Sequence, residues 1–165
     1  MKNYKETIRK LIRGINLLES IFLVTILMSM ILLAVVQIII RNGFDTGLVW
    51  SDAAVRIMVL WVTFLGAMVA SRKGQHISID LINHYLSKKI QRFFHAVVNL
   101  VTASISLLTA YIGYRFVAME YQDGMIAFAS IPAWSCELII PIGFTVIALR
   151  YFIHIFVPAD AEVKQ

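Results

Sequence analysis

Glu19, Arg56, Glu137 and Arg150 are charged residues inside stretches that are otherwise mostly apolar. A charge withdrawn from water is costly and is normally paired or functional, so chemistry is sought here first. Position along each stretch sorts them by depth, Arg56 with Glu137 near one membrane face and Glu19 with Arg150 near the other. Each set predicts a salt bridge tying the last helix to the first two, with Asp52 supporting Arg56 from one turn away. Snorkelling of Glu19 and Arg150 to the headgroups is the competing reading. A small proton-coupled exporter is a further alternative, but it needs an acid at mid-membrane, and these charges stand near helix ends.

Other chemistry finds little support. The chain has no phosphate-binding loop, no Gly-x-Ser-x-Gly and no His-Glu-x-x-His, and its carboxylates are scattered over both membrane faces, so an enzyme is not expected. The single cysteine, Cys136, excludes an internal disulfide and a multi-thiolate metal site. His95 and His154 fall near the same ends of two helices, which keeps a haem-binding membrane-anchor cytochrome open as an alternative. No cofactor is expected in this chain.

The elements that must position these residues are membrane helices. With 59% hydrophobic and 15% charged residues and a mean hydropathy of +0.78, the chain carries more apolar surface than one soluble core of this length can hide. The fold class is therefore an all-α integral membrane protein, a single domain over 1–165. A span needs about 20 mostly apolar residues, and windows at 17–40, 50–71, 93–117 and 132–157 qualify. The first is too long for a signal-peptide core and lacks a small-residue cleavage site, so it reads as a retained helix. Of fifteen Lys and Arg residues, twelve lie in the N-terminal arm, the 72–92 connection and the C-terminal end. That bias predicts an N-in/C-in orientation, with Arg41 and Arg115 on the outside. The net charge of +5 then reflects orientation and contact with lipid headgroups; no nucleic-acid partner is expected.

The connections differ in character. Residues 41–49 suit a short outer turn. In 72–92, Gly74 breaks the helix, and Ile82, Tyr85, Leu86, Ile90 and Phe93 then recur at helical spacing with Lys88, Lys89 and Arg92 opposite. This predicts an amphipathic in-plane helix at about 80–92, with a plain linker as the alternative. Residues 118–131 predict an interfacial or re-entrant outer loop bearing Glu120 and Asp123, with Trp50 and Trp134 at the outer interface. Two helix-packing seams are expected: Asn99, Thr102, Ser106, Thr109 and Gly113 in the third helix, and Asp52, Arg56, Thr63, Ala67 and Ala70 with the Gly66/Ala70 small-xxx-small pair in the second. A lining for a substrate path is the alternative for either seam, but neither holds a substrate-sized set of charges.

Trp50-Ser51-Asp52, Arg56, Phe64-Leu65-Gly66-Ala67, Ala70, Arg72, Gly74, His76-Ile77 and Ile79-Asp80 together resemble the small membrane subunit, the DctQ-like component, of tripartite ATP-independent periplasmic (TRAP) transporters. Ile131-Pro132-Ala133-Trp134 and Pro141 look like that family's entry into its final helix. The chain departs from the family in having the single Asp52 where an acidic pair is frequent. The resemblance implies a scaffold subunit in a bacterial inner membrane, partnered by a large multi-spanning elevator subunit that carries the sodium and substrate sites. It further implies a periplasmic binding protein that delivers an organic acid of the C4-dicarboxylate or sialic acid type. On that reading Asp52, Arg56 and Glu137 order the outer end, Trp50, Glu120, Asp123 and Trp134 face the docking side, and Gly74, His76 and Asp80 fix the cytoplasmic turn.

Overall fold

The computed structural model describes residues 2–44, 47, 50–73, 88–128 and 130–156. Helix α1 runs over Lys2–Phe44 and α2 over Ser51–Ala70, closed by a 3-10 turn at Ser71–Lys73. Helix α3 spans Lys88–Asp123; a two-stranded antiparallel hairpin, β1 (Ile126–Phe128) and β2 (Ile131–Pro132), leads into the short α4 (Ala133–Glu137) and then α5 (Ile139–Phe156). Among the described residues four segments are long and apolar enough to cross a membrane: Ile12–Gly43, Ser51–Ala70, Phe93–Asp123 and Ala133–Ile155. The expected four-span, all-α class therefore holds, with α1 and α3 longer than their apolar windows because charged residues at their ends continue the helix.

Two connections depart from expectation or fall outside view. The predicted in-plane helix lies mostly beyond the described residues, as do Gly74, His76 and Asp80; its last residues, 88–92, are the opening turn of α3. The outer loop is a hairpin, pairing Ile126 with Pro132 and Phe128 with Ile131. This pairing, with the Ala133 N–H donating to the Met125 carbonyl at 2.9 Å, gives part of the loop's backbone polar groups partners within it, as an apolar surrounding favours. Gly124 ends α3 in the left-handed region, φ +62°, where a side chain would be strained.

The last span is interrupted where Pro141 lacks the N–H that would bond the Glu137 carbonyl, so α4 and α5 are separated at Leu138. The helices then pack in a row, in the order α1, α2, α5, α3: α5 lies most extensively along α3, α1 along α2, and α2 against α5. A small core of Leu65, Met68 and Ile139, flanked by Leu23, Ile26, Trp61 and Phe64, joins the first three. At the α2–α5 crossing the Phe64 side chain lies over Gly143, so that a Cβ there would stand 2.7 Å from Phe64 Cδ1. Phe64 also meets Phe144 edge to face, centroids 5.3 Å apart. None of the most apolar window of α1 is buried within the chain, so lipid or another protein must cover it.

The third-helix seam is a row of small residues. Asn99, Ala103, Ser106, Ala110, Gly113 and Val117 are buried, and Gly113 lies against Ile140 and Pro141. Thr102 and Thr109 flank this row instead of lying in it, and Thr109 turns its hydroxyl back to the Ile105 carbonyl at 2.9 Å. The expected second-helix seam is a correction. Arg56, Thr63, Ala67 and Ala70 are exposed, a Cβ on Gly66 would meet nothing within 4 Å, and the buried face is Ser51, Ala54, Leu65 and Met68. Shape complementarity to α5 selected the face with large apolar side chains, leaving the small-residue stripe outward.

Candidate functional site

At the end of the row where α2 and α5 finish, three helices share one ionic cluster. Glu19 leaves α1 half-buried and accepts from both guanidiniums: Arg150 NH2 donates to Oε1 at 2.7 Å and to Oε2 at 2.8 Å, and Arg72 NH2 and Nε donate to Oε2 at 2.7 and 3.0 Å. Further donors are used as well. Arg72 NH1 donates to Ser20 Oγ at 2.9 Å, and Arg150 NH1 donates to the Met68 carbonyl and to Ser71 Oγ, the latter at 3.2 Å. Ser71 in turn donates to Met68 O at 2.7 Å, closing the end of α2. The planar fork of an arginine suits this many-sided bonding; a lysine would not reproduce it. The predicted meeting of Glu19 and Arg150 is present, and it does not consist of snorkelling side chains. Arg72, read from sequence only as an orientation charge, is its third member.

The opposite end is open. Asp52 Oδ1 accepts from Gln37 Nε2 at 2.6 Å, linking α2 to α1, and beside this bond lies a cavity of about 410 Å³ into which Arg41 and Arg56 both face. The expected Arg56–Glu137 salt bridge is a correction: among the described residues Arg56 has no carboxylate partner within bridging distance. Depth along a helix sets height in the membrane, not azimuth. Arg56 points toward α1, whereas Glu137 stands at the α5 side of α2, within Coulombic range of Glu120. One oxygen of each of these two glutamates, Oε2, is shielded from solvent and has no hydrogen-bond partner among the described residues.

The aromatic residues of this end are placed by the hairpin. Trp134 meets Tyr121 edge to face, centroids 5.5 Å apart, while Trp50 is exposed at the start of α2 and Asp123 is exposed at the end of α3. Trp61, which sequence reasoning passed over, donates from Nε1 to the Cys136 carbonyl at 2.9 Å and so fastens α4 to α2. An indole N–H in an apolar helix was the available signal. His154 meets Tyr151 edge to face, and no group of three or more metal-ligating side chains is placed to hold an ion among the described residues.

Comparison with known proteins decides what this arrangement belongs to. Residues 30–160 match the family model described as the DctQ component of tripartite ATP-independent periplasmic transporters. The chain belongs to that family. It is 28% identical over 123 residues to a putative TRAP transporter small permease protein of Haemophilus influenzae, 74% of each chain being covered. It is 27% identical over 138 residues to the ectoine TRAP transporter small permease protein TeaB of Halomonas elongata, covering 83% of this chain and 72% of that one. Similarity to the sialic acid TRAP transporter permease protein SiaT of Haemophilus influenzae is 30% over 101 residues, 61% of this chain and 16% of the relative. The protein is accordingly a small permease subunit, a transport component and not an enzyme, and a multi-pass protein of the bacterial inner membrane.

Proposed function

We propose that this subunit is the fixed scaffold of a sodium-coupled TRAP transporter that imports an organic acid of the C4-dicarboxylate or sialic acid type. It braces a large elevator subunit, which binds sodium and substrate, and its outer end helps to dock a periplasmic binding protein. The observation that carries this reading is the row of helices clamped at one end by Glu19, Arg72 and Arg150, with broad apolar faces left uncovered on its two outer helices. A rigid plate of this kind has surface to offer a larger partner. A groove of about 920 Å³ between α3 and α5 is open and lined mostly by apolar side chains such as Leu108, Tyr111 and Ile142, unlike a hydrophilic route for an anion. The N-in/C-in orientation follows from the Lys and Arg bias, and puts the Arg56 end in the periplasm.

The test is co-expression with the large permease encoded in the same system, purification in mild detergent, and reconstitution with the binding protein. Uptake of a labelled C4-dicarboxylate or sialic acid that requires an inward sodium gradient and all three components is expected. A chain that purifies free of the large permease, or uptake that proceeds unchanged without it, would overturn the scaffold role.

A further inference from the structure

We infer that the cavity between the end of α1 and the start of α2 is a binding site for a phosphoethanolamine headgroup, supplied by a phospholipid of the surrounding leaflet. Arg41 and Arg56 line it from two helices, and neither has a carboxylate within bridging distance among the described residues. Two guanidiniums converging on one cavity make a phosphate site, because each presents a fork of N–H donors to the oxygens. The same cavity holds Asp52. One of its oxygens takes the Gln37 amide, and the carboxylate remains the natural partner of a ligand ammonium. Two cations beside one anion match a phosphate joined to an amine better than a phosphate alone, whose charge Asp52 would oppose.

Depth and surroundings identify the ligand as a lipid. Arg41 lies two residues inside the end of the Ile12–Gly43 span, and Arg56 lies five residues into α2, about 7 Å along its axis at the usual helical rise. Both therefore stand at the boundary of headgroups and hydrocarbon. Immediately deeper, Val35, Ile38, Ile39 and Val59 are exposed apolar side chains, a surface on which acyl chains can lie beneath a headgroup held above. Basic pockets between membrane helices are established places for lipid headgroups, and about 410 Å³ is ample for this one.

The experiment is native mass spectrometry of the purified, delipidated full-length chain, offered equal amounts of dimyristoyl phosphatidylethanolamine and dimyristoyl phosphatidylglycerol, and separately O-phosphoethanolamine or inorganic phosphate. Retention of phosphatidylethanolamine at least tenfold over phosphatidylglycerol is expected. Substituting both arginines, Arg41→Gln with Arg56→Gln, should abolish it, while Arg115→Gln, an exposed arginine elsewhere on α3, should not. Asp52→Asn keeps both cations and should bring the two lipids to within about twofold of each other, a readout that survives if the double variant fails to fold. Equal retention of both lipids by the unaltered chain, or an unchanged preference in Asp52→Asn, would overturn the inference. Binding of O-phosphoethanolamine or phosphate without retention of lipid would overturn the lipid source.

Discussion

The two ends of the helix row contain the same ingredients, arginines and carboxylates near a membrane face, and use them in opposite ways. At the Glu19 end, the carboxylate oxygens receive four hydrogen bonds from Arg72 and Arg150, and the arginines also engage two serines and a backbone carbonyl. At the Arg56 end, Arg41 and Arg56 have no carboxylate partner within bridging distance, and Glu120 and Glu137 each keep a shielded oxygen without a hydrogen bond, all among the described residues. Buried polar groups without partners are expensive, so the first end is satisfied within this chain, whereas at the second the shielded oxygens of Glu120 and Glu137 are left without a partner among the described residues.

The sharpest way to break this contrast is to unbalance the closed end. Glu19→Gln leaves two guanidiniums facing each other with side-chain exposures of only 16–18%. Removing one partner of such a cluster costs about 3 kcal/mol even at the lower end of the usual range. The expected outcome is a large fall in Tm and in the yield of folded protein. Arg72→Gln should cost far less, about 1 kcal/mol, because the Glu19–Arg150 pair survives and one uncompensated cation is lost. Equal effects of the two substitutions would show that the cluster is not held by its carboxylate. Next in size is Gly143→Ala, whose Cβ must displace Phe64. Overpacking of this kind costs about 1–3 kcal/mol, and Phe64→Leu should recover part of it in thermal unfolding.

The closed end was the more legible of the two in the sequence, for a physical reason. Glu19 and Arg150 are opposite charges at one depth inside apolar helices, and desolvation leaves few alternatives to pairing. Arg56 and Glu137 met the same criterion of depth, yet α2 stands between the directions in which they point, and no one-dimensional pattern encodes that azimuth. Ala103 and Ala110 were missed in the third-helix seam because polarity was followed; between membrane helices smallness governs close approach, and alanine provides it as well as serine. The four spans were plain from apolar length alone. Their order in the row was not, since α5 is inserted between α2 and α3 by contacts distant in sequence, among them Trp61 to Cys136.

That contact offers a milder test at the junction between the ends. Trp61→Phe removes the Nε1–H donor while retaining much of the ring, and leaves the Cys136 carbonyl short of a partner; a loss of about 1 kcal/mol is expected, read as a small shift in Tm. The smallest effect is predicted for Gly66→Leu. A Cβ at this glycine would meet no described atom within 4 Å, so the isolated subunit should keep its stability to within about 0.5 kcal/mol. The stripe formed by Gly66 and Ala70 is nevertheless shaped for the close approach of another helix. The informative quantity is then the ratio of two measurements on one variant, its Tm alone and its recovery with the large permease. An unchanged Tm with lost recovery would extend the unfinished surface from the Arg56 end down the outer side of α2; a Tm that falls with it would mean that this face is already packed within the subunit.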